Sequence, residues 1–304
     1  MKKLKEYGPL FVIVAALLWS FDGLLRRDLY SLPPSVVVFY EHLVGFAIIL
    51  FLAPKWFKDL KKMSRKEWIA ITIVALFSGA LGTIFYTAAL GKVNYIQYSV
   101  VVLLQQLQPI WAILAAAILL KEKITKKFIF WALLALVAAY FISFKDLKVN
   151  FQSGAGTAIA AGLALLAGVL WGSSTAISKY VLNKVSFLAA TALRFLLAPF
   201  FAFGFIVSLG QTSSLTAITS SQLTTLLLIA FSTGLVALAI YYYGLKKTPA
   251  RITTICELVW PASAIFIDYF YLHNGLSYTQ ILGVVVLLFA IYNVAWNKKT
   301  ALTV

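Results

Sequence analysis

Apolar residues run along the chain in long blocks separated by short polar connections. Ten such blocks stand out, at about 8–25, 34–53, 68–90, 95–120, 128–144, 155–177, 187–208, 222–244, 251–271 and 278–296. A helix needs about 20 mostly apolar residues to cross the hydrocarbon of a bilayer, and there it satisfies its own backbone hydrogen bonds. Each block therefore predicts one transmembrane helix. No block is followed by a long polar stretch, which leaves no room for a soluble domain. The pattern predicts an all-α polytopic membrane protein: ten transmembrane helices in a single transmembrane domain over residues 1–304.

Composition narrows the class. Of the 304 residues, 62% are hydrophobic and 12% charged, and the mean hydropathy is +0.92. A soluble domain has about 45–50% apolar and about 25% charged residues. A soluble enzyme and a disordered chain are both excluded. The opening MKKLKEY and its apolar run mimic a secretory signal, but many more apolar blocks follow, so the first block is read as an uncleaved span. The lone cysteine, Cys256, rules out an internal disulfide and a cysteine-based metal site.

The formal net charge is +16. In a soluble chain that excess suggests nucleic acid. In a membrane chain it marks topology, because Lys and Arg collect in cytoplasmic loops. With the N-terminus inside, the inner segments hold 20 Lys and Arg and the outer ones 5, namely Arg26, Arg27, Lys92, Lys145 and Lys148. The remaining one, Arg194, lies within a span. This asymmetry supports ten spans with both termini cytoplasmic, and it leaves no need for a nucleic-acid partner.

The two halves match at an offset of 152: Leu18-Trp19 with Leu170-Trp171, His42 with Arg194, Pro109 with Pro261, Tyr140 with Tyr292. In span 3 the offset is 155, and Gly79, Tyr86 and Leu90 fall on Gly234, Tyr241 and Leu245. A shared offset along the whole chain signals duplication. Repeat one covers 1–149 and repeat two 150–304, with five spans each. Five is odd, so the second half enters the membrane from the opposite side. Such inverted repeats are typical of secondary transporters, and two opposed halves provide alternating access to a site between them.

With this layout, and with Leu18-Trp19-Ser20, Leu170-Trp171-Gly172, Leu193-Arg194-Phe195 and the central Pro109 and Pro261, the chain resembles the drug/metabolite transporter superfamily, EamA type. The stretch Leu119-Leu120-Lys121-Glu122-Lys123-Ile124-Thr125 is similar to that family's short acidic turn. The second half departs from the pattern, with His273-Asn274-Gly275-Leu276-Ser277 in place of a second acidic turn, and His42 stands where arginine is frequent. The resemblance implies a multi-pass carrier of small organic solutes in the cytoplasmic (inner) membrane, often an exporter.

Ionisable groups inside hydrocarbon are costly and usually face a cavity or a partner. Arg194 is either an anchor for an anionic substrate group or a structural pair and helix-end cap. Glu257 lies four residues before Pro261 on the same helix face. It either binds an ammonium group or a coupling proton, or is a permanent partner of Arg194 or His42. Its repeat mate is Gln105, with Gln106 and Gln108 beside it. These glutamines either line the cavity or bond between helices. Glu41 and His42 are adjacent, about 100° apart on a helix, so both cannot face one cavity squarely. His42 is the better lining candidate, and Glu41 a second candidate for the proton. Asp22 and Asp268 read as solvated interfacial residues. Trp19, Trp171, Tyr86, Tyr98, Tyr241 and Trp260 are candidates to hold a flat or cationic solute, whereas Trp56 and Trp68 read as interfacial belt. Pro109 and Pro261 supply bend points and freed carbonyls. Gly168-Val-Leu-Trp-Gly172 permits close helix approach, within the monomer or across a homodimer.

No P-loop, HExxH or GxSxG motif is present, and no cofactor or metal is implied. The expected function is secondary active transport of a small polar or zwitterionic, amino-acid-like metabolite by alternating access, as an exporter or exchanger. The alternative is an intramembrane enzyme acting on a lipid-linked substrate.

Overall fold

A computed structural model describes residues 7–92, 104–144, 146, 155–272 and 275–296. The helices that cross or enter the bundle are α1 (Gly8–Leu29), α2 (Pro34–Leu50), α3 (Arg65–Leu90), α4 (Gln108–Leu119), α5 (Lys126–Ser143), α6 (Ala155–Leu182), α7 (Phe187–Ser208), α8 (Ser220–Lys247), α9 (Ala250–Cys256), α10 (Val259–Leu272) and α11 (Tyr278–Ala295). Among the described residues there is no strand. Eight helical segments are long and apolar enough to span a bilayer, with α9 and α10 counted together over Ala250–Ile267. The other two expected spans are represented by shorter helices. Helix α2 has 17 residues and turns by 82° into the elbow Ala53–Lys62. Helix α4 has 12 residues, and most of the chain expected to precede it lies outside the described residues. The chain is a multi-pass α-helical membrane protein.

The helix starts follow from local chemistry. The side chains of Ser64, Thr219 and Ser277 each accept from their own first turn, while Glu67, Gln222 and Gln280 bond back to the cap. These capping boxes satisfy N–H groups that a helix end leaves unpaired. Thr125 and Ser186 cap α5 and α7 in the same way. Pro34 opens α2, at a position where a missing N–H costs nothing.

Helix α1 packs on α8, α2 on α7, α3 and α4 on α6, and α5 on α11. Every one of these contacts joins the two halves of the chain. Small residues let the backbones approach: a Cβ on Gly244 would stand 2.9 Å from the Gly8 carbonyl oxygen. At one end of the bundle Gly8 packs against Thr248, and Lys179 donates to the Leu245 carbonyl at 2.8 Å. At the other end Ser31 accepts from Gln222 at 2.8 Å, and Ser35 donates to Gln211 at 2.5 Å. Large apolar side chains such as Phe130, Phe200 and Val285 cover the outside, as a lipid-facing surface requires.

Three residues that the charge and belt patterns assign to the interface are instead inside. Arg26 continues α1 as a final 3-10 turn and is buried. Arg251 lies in the first turn of α9, buried and paired with Glu122 at 3.2 Å. Trp56 is also buried, donating from Nε1 to the Ile49 carbonyl at 3.1 Å. At Arg26 and Arg251 the loop assignment failed because hydropathy cannot register a charge paired with a carboxylate from another segment, Glu41 or Glu122.

Candidate functional site

Two helices are interrupted at corresponding places. Residues 104–105 are helical, 106–107 form a turn, and α4 restarts at Gln108 with Pro109 in its first turn. In the second half α9 ends at Cys256, Glu257 and Leu258 form a turn, and α10 starts at Val259 with Pro261 in its first turn. Each proline therefore opens a helical segment, and the chain breaks just before it. The break leaves backbone groups without intrahelical partners and releases side chains from regular helical spacing.

The breaks flank a cavity of about 150 Å³ between the two halves. Its wall includes Trp19, Glu41, His42, Tyr86, Gln105 and Pro109 from the first half. The second half contributes Trp171, Arg194, Tyr241, Glu257 and Trp260. Among the sequence candidates, Pro261 is not part of the wall, and Tyr98 and the side chain of Asp268 lie outside the described residues.

Four aromatic rings form two reciprocal pairs. Trp19 of the first half meets Tyr241 of the second, with centroids 5.1 Å apart and planes at 53°. Trp171 of the second half meets Tyr86 of the first with the same separation and angle. Trp260 approaches Tyr86 from another side at 6.3 Å. Trp171 can lie across α3 because position 82 is glycine: a Cβ there would stand 2.7 Å from the indole nitrogen.

Two π-helical turns also reach the cavity, at Ala75–Leu81 in α3 and Ala230–Gly234 in α8. A π turn widens the helix and detaches a carbonyl from the regular ladder, and such turns often mark functional sites. The Ser78 carbonyl accepts from Arg194 Nη2 at 3.0 Å, Trp171 Nε1 at 3.2 Å and Thr83 Oγ1 at 3.0 Å. Arg194 is thus anchored on backbone. His42 bonds through Nδ1 to the Val38 carbonyl at 3.0 Å and stacks on Phe195 at 4.8 Å.

The charged groups separate into two clusters. Asp22, Arg26 and Glu41 form a buried ionic knot. Arg26 pairs with Asp22 one helical turn earlier, and its Nη2 reaches Glu41 at 2.8 Å. Thr233, in the second π turn, donates to Asp22 at 2.7 Å and ties the knot to the other half. Asp22 is therefore not the solvated interfacial residue expected from sequence. Glu41 and His42 both line the cavity despite their adjacent positions, because Glu41 reaches round to Arg26.

Glu257 has neutral partners only. Tyr241 donates its phenolic O–H to Oε1 at 2.7 Å, and Gln108 donates Nε2 to Oε2 at 2.6 Å. Gln105 donates to Gln108 Oε1 at 3.0 Å, extending the chain of amides. Among the described residues no ion pair joins Glu257 to Arg194 or His42.

Sequence reasoning missed Arg26, Ser78, Ser174, Thr175, Thr233 and Thr254, all of them in the cavity wall. Two signals were present. Asp22 and Arg26 are four residues apart, the spacing of a helical ion pair. Ser78-Gly79 and Thr233-Gly234 also recur at the offset of 155. The GxxxG of α6 packs within the chain: a Cβ on Gly172 would stand 2.4 Å from the Gln108 carbonyl oxygen, and one on Gly168 would stand 3.0 Å from that of Gln105. It supports the broken helix.

The profile of the EamA-like transporter family matches residues 6–144 and again residues 158–296. A protein named riboflavin transporter ImpX, from Fusobacterium nucleatum, is 35% identical over 290 residues, covering 95% of this chain and 97% of its own length. An uncharacterised transporter of a Synechocystis species is 24% identical over 317 residues, covering 97% of this chain and 89% of its own. One solved crystal structure superposes with a TM-score of 0.73 over 94% of this chain and 96% of its own at 16% identity, a likeness of fold.

Proposed function

The chain belongs to the EamA-like transporter family, and from that premise we propose that it is a secondary carrier of a flavin, riboflavin or a close relative, working by alternating access. The layout is ten spans in two oppositely inserted halves, residues 1–149 and 150–304, in the cytoplasmic membrane with both termini inside. The observation that carries the cargo is the 35% identity, over nearly the whole of both chains, to a protein named as a riboflavin transporter.

The lining suits such a cargo, and the cavity of about 150 Å³ must widen to admit it. Rings from both halves offer flat faces for a planar heteroaromatic system. The glutamines and Arg194 offer hydrogen bonds to its polar edge. Riboflavin is neutral at physiological pH and needs no opposed pair of charges. The amino-acid-like zwitterion suggested by Arg194 and Glu257 would need both charges aimed at its ends, and each is instead bonded to protein. Flat polar rings therefore have more support than zwitterions.

Of the two candidate proton carriers, Glu41 is paired with Arg26, which it shares with Asp22, while Glu257 sits among neutral donors. Glu257 is the group to which we assign the coupling proton. Net direction follows the solute and proton gradients.

The test is transport by purified protein in proteoliposomes. Saturable uptake of labelled riboflavin is expected, accelerated by unlabelled riboflavin inside the vesicle and by an imposed pH gradient. Trp171→Ala should lower uptake at least about tenfold, since it removes a ring face and the bond to Ser78. Absence of saturable riboflavin movement overturns the cargo. A change in a covalent bond of an added lipid-linked substrate would favour an enzyme instead.

A further inference from the structure

While Glu257 is ionised, the amides of Gln105 and Gln108 have one polarity. An ionised carboxylate only accepts hydrogen bonds. Glu257 Oε2 therefore requires the NH2 group of Gln108, at 2.6 Å. Gln108 must then turn its oxygen to Gln105, whose NH2 group donates to it at 3.0 Å. Reversing either amide would set acceptor against acceptor. The relay leaves Gln105 presenting its carbonyl oxygen, Oε1, which is buried and unpartnered among the described residues.

The other unpartnered buried atoms of the wall can all donate. Trp260 Nε1 and Arg194 Nε are donors, and the Gln106 amide and the hydroxyls of Ser174 and Thr254 can serve either way. Leaving a buried polar atom unpaired costs about 1–3 kcal/mol. A cargo that satisfies this wall carries several acceptors and a donor directed at Gln105.

We infer that the site recognises its cargo through a cyclic imide edge, an N–H flanked by two carbonyls, with the N–H donated to Gln105 Oε1 and the ring acceptors met by Gln106, Trp260 and Arg194. The assignment rests on the flavin reading and sharpens it. A flavin ring has one N–H, in its pyrimidinedione portion, and four acceptors around it: two carbonyl oxygens and two ring nitrogens. Glu257 acts here as a positioning residue, since it sets the polarity of the amides without reaching the imide.

The experiment compares riboflavin with N3-methylriboflavin, in which a methyl group replaces the imide hydrogen. Binding is read by quenching of flavin fluorescence on the full-length protein in nanodiscs. The methylated flavin should bind the wild type at least about tenfold more weakly. Gln105→Leu should weaken riboflavin to a similar degree and leave the methylated flavin close to its wild-type affinity. Equal binding of the two flavins by the wild type overturns the imide assignment while leaving flavin transport standing. A Gln105→Leu loss of the same factor for both ligands also overturns it, because the methyl effect is then steric. Absence of saturable riboflavin binding overturns the flavin reading and the imide assignment together. Where Gln105→Leu does not fold, Gln105→Met, of similar shape and without the carbonyl, is put through the same comparison.

Discussion

The ionic knot and the amide relay place carboxylates in the same cavity under opposite conditions. Asp22 and Glu41 share one guanidinium, and Thr233 completes their shell. Glu257 holds its position with a phenol and an amide and has no cation among its partners. A buried carboxylate paired with a cation has its charge balanced on site, and removing the cation is heavily destabilising. A carboxylate among neutral donors can change protonation without stranding an opposite charge. The first arrangement suits a fixed joint and the second a working one.

The largest expected effect breaks the joint. Arg26→Met leaves two buried carboxylates without their partner and should cost about 3–5 kcal/mol. Thermal unfolding of detergent-purified protein should show a large drop in apparent stability, with little protein recovered as a monodisperse species. A variant as stable as the wild type would mean that the knot is not a structural joint. An intermediate effect is expected next to the relay. Gly172→Ala places a Cβ against the Gln108 carbonyl oxygen, 2.4 Å away in the unrelaxed backbone. The forced shift of the broken helix should cost about 1–3 kcal/mol, read in the same unfolding assay, and riboflavin binding should weaken with it. The smallest effect on stability is expected at Glu257. Glu257→Gln keeps the shape and an acceptor oxygen, so the melting curve should move by less than about 1 kcal/mol. Proteoliposomes carrying it should still exchange riboflavin for riboflavin, whereas accumulation driven by a pH gradient should disappear. Accumulation at the wild-type level would remove Glu257 as the proton carrier.

The contrast also explains what the sequence could disclose. Most apolar blocks coincide with helices within a few residues: the blocks at 187–208 and 128–144 appear as Phe187–Ser208 and Lys126–Ser143. Hydrocarbon thickness and obligatory backbone bonding leave few other solutions. The relay was partly legible, because three glutamines beside a proline are conspicuous in an apolar run. Their order of donation was not, since it depends on Glu257, which lies 149 residues beyond Gln108. The knot was hidden more completely. Arg26-Arg27-Asp28 reads as a polar loop, and Asp22 one turn earlier together with Glu41 on the next helix makes Arg26 an interior residue. The π turns were invisible as such, because hydropathy does not distinguish four residues per turn from three and a half. Only the recurrence of Ser78-Gly79 as Thr233-Gly234 hinted at them.

The two tryptophan–tyrosine pairs are interchangeable in composition and in geometry. Each half lends the other an identical grip. Were one half to slide past the other, a contact opened on one flank would have a twin on the opposite flank, ready to take its place. On the proposed alternating-access reading, a hinge made in this way would have no built-in preference for either side of the membrane.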